Sequence, residues 1–173
     1  MTRILLLYHP RNERMRAMAH AVAAGVRASG ASADIRRLPR DPPTELTDEA
    51  RVMEDEAPVA DVSAFSMYDA IVFGIDFIGR PISRPLEEFI ASLGGTRWAN
   101  DKAAFLFTVG SNDAGSARID FARRLDSQGV AVLDADFPSD FATISEDCDE
   151  QAAFMGLWRF GKRLGMLAIE SRS

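Results

Sequence analysis

Three arginines crowd one short stretch, His9-Pro10-Arg11-Asn12-Glu13-Arg14-Met15-Arg16. It follows an apolar run, Ile4 to Tyr8, and leads into a helical pattern. A helix N-terminus carries roughly half a positive charge, so cations there cost a few tenths of a kcal/mol or more. Arg11, Arg14 and Arg16 against that dipole, with only Glu13 to offset them, make sense if an anion sits there. Guanidinium forks suit phosphate, and a phosphate would lie near Arg11, Asn12, Arg14 and Met15. Turns that bind phosphate usually supply Gly, Ser and Thr instead, and this one has none. The alternative is a solvated basic turn, or ion pairs with acidic stretches of this chain or of a neighbouring subunit.

Two more stretches bear candidate chemistry. In Asp76-Phe77-Ile78-Gly79, Phe77 can stack on a planar ring and Asp76 can accept a hydrogen bond from a ring or sugar. The competing reading has Phe77 and Ile78 plugging the same crevice. Ser111-Asn112-Asp113 reads first as a helix cap. Its hydroxyl and amide can also reach a ligand in the loop that continues to Gly115. His9 either faces a ligand or is a strand-end residue bonded to backbone. His20 falls off the apolar face of its helix, towards solvent. Two His and one Cys argue against zinc, and the eight acidic residues from Asp126 to Glu150 show no calcium-loop spacing. Cys148, between Asp147 and Asp149, is a poor nucleophile because both carboxylates disfavour the thiolate. No Ser–His–Asp or paired-carboxylate constellation is present.

The elements that must position these residues follow from hydrophobic spacing. Ile4–Tyr8, Ala70–Phe73, Ala103–Val109 and Val130–Leu133 are continuous apolar runs, as in strands covered on both faces. Ala33–Leu38 alternates like a half-exposed edge strand. Met15, Met18, Ala19, Val22, Ala23 and Val26 repeat with helical period, and Gly30 stops the pattern. Further helices are expected from Ser83 to Gly94-Gly95, from about Ala114 to Gln128, and from about Glu150 to Ile169. The last carries Phe154, Leu157, Trp158, Gly161, Leu164, Gly165 and Leu167 on its packing side. Alternating strands and helices predict a doubly wound α/β domain over 1–173, a five-stranded parallel sheet in flavodoxin-like order 2-1-3-4-5. Residues 39–61 are Pro-rich and acidic and read as a surface excursion. Ligands of such sheets bind beyond the carboxyl ends of the strands, where strand order reverses. The three stretches above are the loops at that end.

A net charge of −6 argues against bulk nucleic-acid binding. One cysteine fits a reducing compartment. No apolar run approaches the ~20 residues of a membrane span, and no leader pattern opens the chain. The expected location is the cytoplasm.

The segments "RILLLY", "MAHAVAAGV", "DEAPVAD", "YDAIVFG", "FIASLGG" and "FTVGS" resemble, in order and spacing, the WrbA-type NAD(P)H:quinone oxidoreductases, a flavodoxin-like family that binds FMN. The resemblance covers nearly the whole chain. It implies FMN with its phosphate near Arg11 to Met15 and its ring between the Asp76–Gly79 and Ser111–Gly115 loops. It implies NAD(P)H as electron donor, a quinone as acceptor, and assembly as a homo-dimer or tetramer. The departures fall on the cofactor loops. Pro10, Glu13 and Ala17 stand where the family has a Ser, a Gly and a Thr, and Gln128 stands at a family histidine. The segment between the fifth strand and the last helix is also shorter. Weakened or altered flavin binding is therefore expected. The alternative is a non-catalytic binding or assembly module that has lost FMN. A third reading is an enzyme taking another anion at the arginine-rich turn.

Overall fold

A computed structural model describes residues 1–10, 13–39, 57–76, 84–94, 103–110, 114–130, 132, 143–145 and 149–171. In chain order the elements are β1 (Arg3–Tyr8), α1 (Glu13–Ala28), β2 (Ser32–Arg37), a 3₁₀ helix (Val62–Met67) and β3 (Ala70–Asp76). There follow α2 (Arg84–Leu93), β4 (Ala103–Gly110), α3 (Ala114–Ser127), β5 (Thr143–Ser145) and α4 (Glu150–Glu170). Every strand pairing is parallel, and the sheet runs β2-β1-β3-β4-β5.

Four of these strands are long. The fifth has three residues and pairs only Thr108–Gly110 of β4. It is not the segment expected from sequence, and that expectation is corrected: in Val130–Leu133 the described residues give a single bridge, Ala104 to Val132. The cause is local. Gly129 adopts φ 83°, its N–H donates to the Asp126 carbonyl, and the Val130 N–H donates to the Leu125 carbonyl. This is a Schellman ending to α3, packed through the buried Leu125 and Val130. The Val130 amide is thereby spent on the helix and unavailable to a strand ladder.

The continuous apolar strands are buried on both faces, as their sequence requires. Ile4, Leu6, Tyr8, Val72, Phe105 and Phe107 pack under α1 and α4. Leu5, Leu7, Ile71, Phe73, Ile75 and Leu106 pack under α2, α3 and the 3₁₀ helix. Phe73 and Phe121 meet edge to face at 5.9 Å.

The α1–α4 contact is unusually close. A Cβ on Gly25 would stand 2.8 Å from the Lys162 amide nitrogen and nearer still to the Trp158 carbonyl. One on Gly161 would stand 2.9 Å from the Val22 carbonyl carbon. Phe160 is also buried in α4, while Phe154, Trp158 and Leu167, expected on its packing side, are only half-buried. Met155 and Met166 are exposed.

At the end of the sheet away from the candidate loops, Asp34 accepts hydrogen bonds from the Tyr68 hydroxyl (2.9 Å) and from Arg3 (3.1 Å). Partial burial pushes the Asp34 carboxyl up, but the bonds from Tyr68 and Arg3, with the charges of Arg3 and Arg36, outweigh it and hold it below its ordinary value. Arg3 lies over the Tyr68 ring at 4.9 Å. Among the described residues no helix is long and apolar enough to cross a membrane, and no cluster of potential metal ligands occurs.

Candidate active site

The order reversal falls between β1 and β3, which flank the start of the chain's outward winding in both directions. Their carboxyl ends are tied together: Tyr8 lies opposite Gly74, and the His9 N–H donates to the Gly74 carbonyl at 2.9 Å. His9 is thus a strand-end residue with its backbone engaged, and it is buried. His20 is exposed on α1, as expected.

Helix α1 begins at Glu13, directly beyond this end of β1. Its first turn holds Glu13, Arg14, Met15 and Arg16. Arg16 and Glu13 form an ion pair three residues apart, with the Arg16 Nε at 3.0 Å from the Glu13 Oε2 and a second, shorter contact through Nη2. The hydrogen bond from Arg16, more than its charge, holds the Glu13 carboxyl below its ordinary value despite slight desolvation. Glu13 is therefore a formal negative charge in the turn, largely answered by Arg16. The i, i+3 spacing of opposite charges was the sequence signal for this pair. Met15 turns its side chain into the core and is 1% exposed, so only its backbone is left to meet a ligand. Arg14 is half-buried.

Asp76 closes β3 and is 7% exposed. Gly115 lies in the first turn of α3, beyond the carboxyl end of β4. The other expected site residues, Arg11, Asn12, Phe77, Ile78, Gly79, Ser111 and Asn112, lie outside the described residues, as does Cys148. The structure thus gathers Arg14, Met15, Asp76 and Gly115 at the carboxyl ends of β1, β3 and β4.

This geometry can receive an extended ligand with an anionic end. The helix N-terminus offers orphan N–H groups and a positive dipole end, and Glu13, Arg14 and Arg16 together carry one net positive charge. Pro10 contributes no N–H.

No family model matches the chain. A protein named NAD(P)H dehydrogenase (quinone) from Afipia carboxidovorans is 40% identical over 100 residues, 57% of this chain and 50% of its own length. One of the same name from Acidovorax ebreus is 34% identical over 113 residues, 62% of this chain and 56% of its own. The chain is a relative of the WrbA-type, flavodoxin-like NAD(P)H dehydrogenases (quinone). It spans about half the length of the curated relatives it matches. Among solved structures, a flavodoxin, WrbA-like protein from Agrobacterium tumefaciens superposes with a TM-score of 0.60 at 18% identity, covering 98% of this chain and 99% of that one. The Streptococcus pneumonia TIGR4 flavodoxin gives 0.66 at 16% identity, over 96% and 99%. At such identities the likeness is one of fold: a flavodoxin-like α/β domain built on a parallel sheet.

Proposed function

We propose that this chain is a single flavodoxin-like domain acting as an FMN-dependent NAD(P)H:quinone-type oxidoreductase, with flavin held more weakly than is usual for the fold. The observation that carries the reading is the placement of the α1 N-terminus, with its net positive turn, beside the β1–β3 reversal. Relatives named NAD(P)H dehydrogenase (quinone) at 34–40% identity support the same reading. β5 and its neighbourhood would complete the fifth strand of the full sheet.

The residues present fit FMN with an altered phosphate end. Arg11 and Arg14, with the backbone of Asn12 and Met15, would hold the phosphate. Asp76 to Gly79 and Ser111 to Gly115 would border the ring. When bound, the flavin would supply hydride acceptance from NAD(P)H and reduction of a quinone-like acceptor. The chain itself has to bind, orient and exclude water. Its buried strand ends, Tyr8, Asp76 and Thr108, close the floor of the crevice from below. The reading extends to a cytoplasmic homo-dimer or tetramer, which the exposed Met155 and Met166 of α4 favour as a contact face.

Flavin fluorescence and visible absorbance test the proposal. Titration with FMN should give saturable binding with a dissociation constant near or above the micromolar range, about −8 kcal/mol, and the loaded protein should oxidise NAD(P)H with a benzoquinone. No saturable binding up to millimolar FMN would leave the non-catalytic module as the better reading.

A further inference from the structure

One buried ionisable group at this end of the sheet has a placement that bears on ligand choice. Asp76 is the last residue of β3 and is 7% exposed. Side chains alternate across a strand. Phe73 and Ile75 belong to the core under α2 and α3, and Val72 to the core under α1 and α4. Gly74 and Asp76 therefore fall on the α1 face. Gly74 is the residue opposite Tyr8 and the acceptor of the His9 N–H, so Asp76 lies just past the point where β1 hands over to the turn before α1. Any anion drawn to that turn by the dipole and Arg14 meets this acidic side chain in a place that salt screens poorly.

We propose that Asp76 is a selectivity residue that disfavours a phosphate dianion, so that the crevice discriminates only weakly between FMN and riboflavin, which lacks the 5′-phosphate. The inference rests on the flavin reading above and adds a sign to it. Asp76 accepts hydrogen bonds from the neutral part of the ligand and repels its charged end. A residue serving only as a ring acceptor would affect both flavins alike.

The test compares dissociation constants for FMN and riboflavin, read by quenching of flavin fluorescence, in the parent, Asp76→Asn and Asp76→Ser. The parent should prefer FMN by less than about tenfold, and both variants should raise that preference by about tenfold more, or 1.4 kcal/mol. A parent that already prefers FMN by over a hundredfold overturns the inference. So does an unchanged or reduced preference in the folded variants, although FMN binding would then still stand. Loss of folding in both variants would make Asp76 a structural residue and also overturn it. If neither flavin binds the parent or the variants, this inference and the flavin reading fall together.

Discussion

Glu13 shows how one side chain can work for the fold and against the ligand. As an acid in the first turn of a helix it favours the dipole, and its bond to Arg16 keeps it ionised. A bound phosphate would meet that charge. Two unit charges 4 Å apart at an effective dielectric of 20 repel by about 4 kcal/mol, and Arg16 together with solvent removes most of this. Glu13→Gln should therefore tighten FMN by a modest factor, on the order of tenfold at most. Isothermal titration of parent and variant at one ionic strength decides it, and weaker binding in the variant would refute the assignment. Asp34 offers a pH test. Its folded pKa lies below the unfolded one, so its stabilisation is present above the unfolded value and is lost as pH falls through the folded value. Its side chain is 42% exposed, which discounts the pair to about 0.2–1 kcal/mol. Urea unfolding should find Asp34→Asn less stable than the parent by that amount at pH 7, with the gap closing towards pH 3. A gap that persists at low pH would assign the effect to packing.

Between elements, the decisive contact is α1 against α4. Gly25 and Gly161 let the two backbones approach to a distance that a single methyl would block. Gly25→Ala and Gly161→Ala should each destabilise by about 1–3 kcal/mol, because the clash is with backbone rather than with a flexible side chain. At Gly156, on the same helix, a methyl group would meet nothing within 4 Å. Gly156→Ala should stabilise by up to about 1 kcal/mol through helix propensity. Thermal unfolding of the three variants checks the contrast, and equal effects at Gly25 and Gly156 would contradict the close packing. The edge strand β2 is managed differently. Arg27 donates to the Ala33 carbonyl at 2.7 Å, and the backbone of Arg37 is bonded to Pro58 and Ala60. These contacts occupy groups that an exposed edge would otherwise present to another chain.

For the molecule as a whole, stability should be graded from the centre of the sheet outwards. β1 and β3 are paired on both sides and buried on both faces. β5 is held by three residue pairs at one edge. Native-state hydrogen exchange should show amides of Leu5–Leu7 and Ile71–Phe73 opening only with global unfolding, and those of Thr143–Ser145 exchanging through small local openings. Equal protection at β5 would mean that the edge is as firmly held as the centre. The ligand crevice lies at the carboxyl ends of the protected strands, a rigid floor under the loops that must supply specificity.

Sequence alone determined the frame, because hydrophobic period is a local property. The apolar runs at Ile4, Ala70 and Ala103, and the helical repeat from Met15 to Val26, each report how many faces an element buries, and the parallel order follows from their alternation with helices. It also marked the first turn of α1 as unusual, since three arginines beside a helix start conflict with the dipole whatever the tertiary context. Other features depended on the folded chain. Val130–Leu133 has strand composition, yet the Schellman ending of α3 takes the Val130 amide, and hydrogen-bond competition of that kind is invisible to composition. Arg16 could be read as an anion donor until its geometry tied it to Glu13. Asp76 is an ordinary acidic residue in the sequence. Its burial and its side of the sheet come from strand alternation against two distinct cores, and only the tertiary structure could place its charge beside the turn where a phosphate would sit.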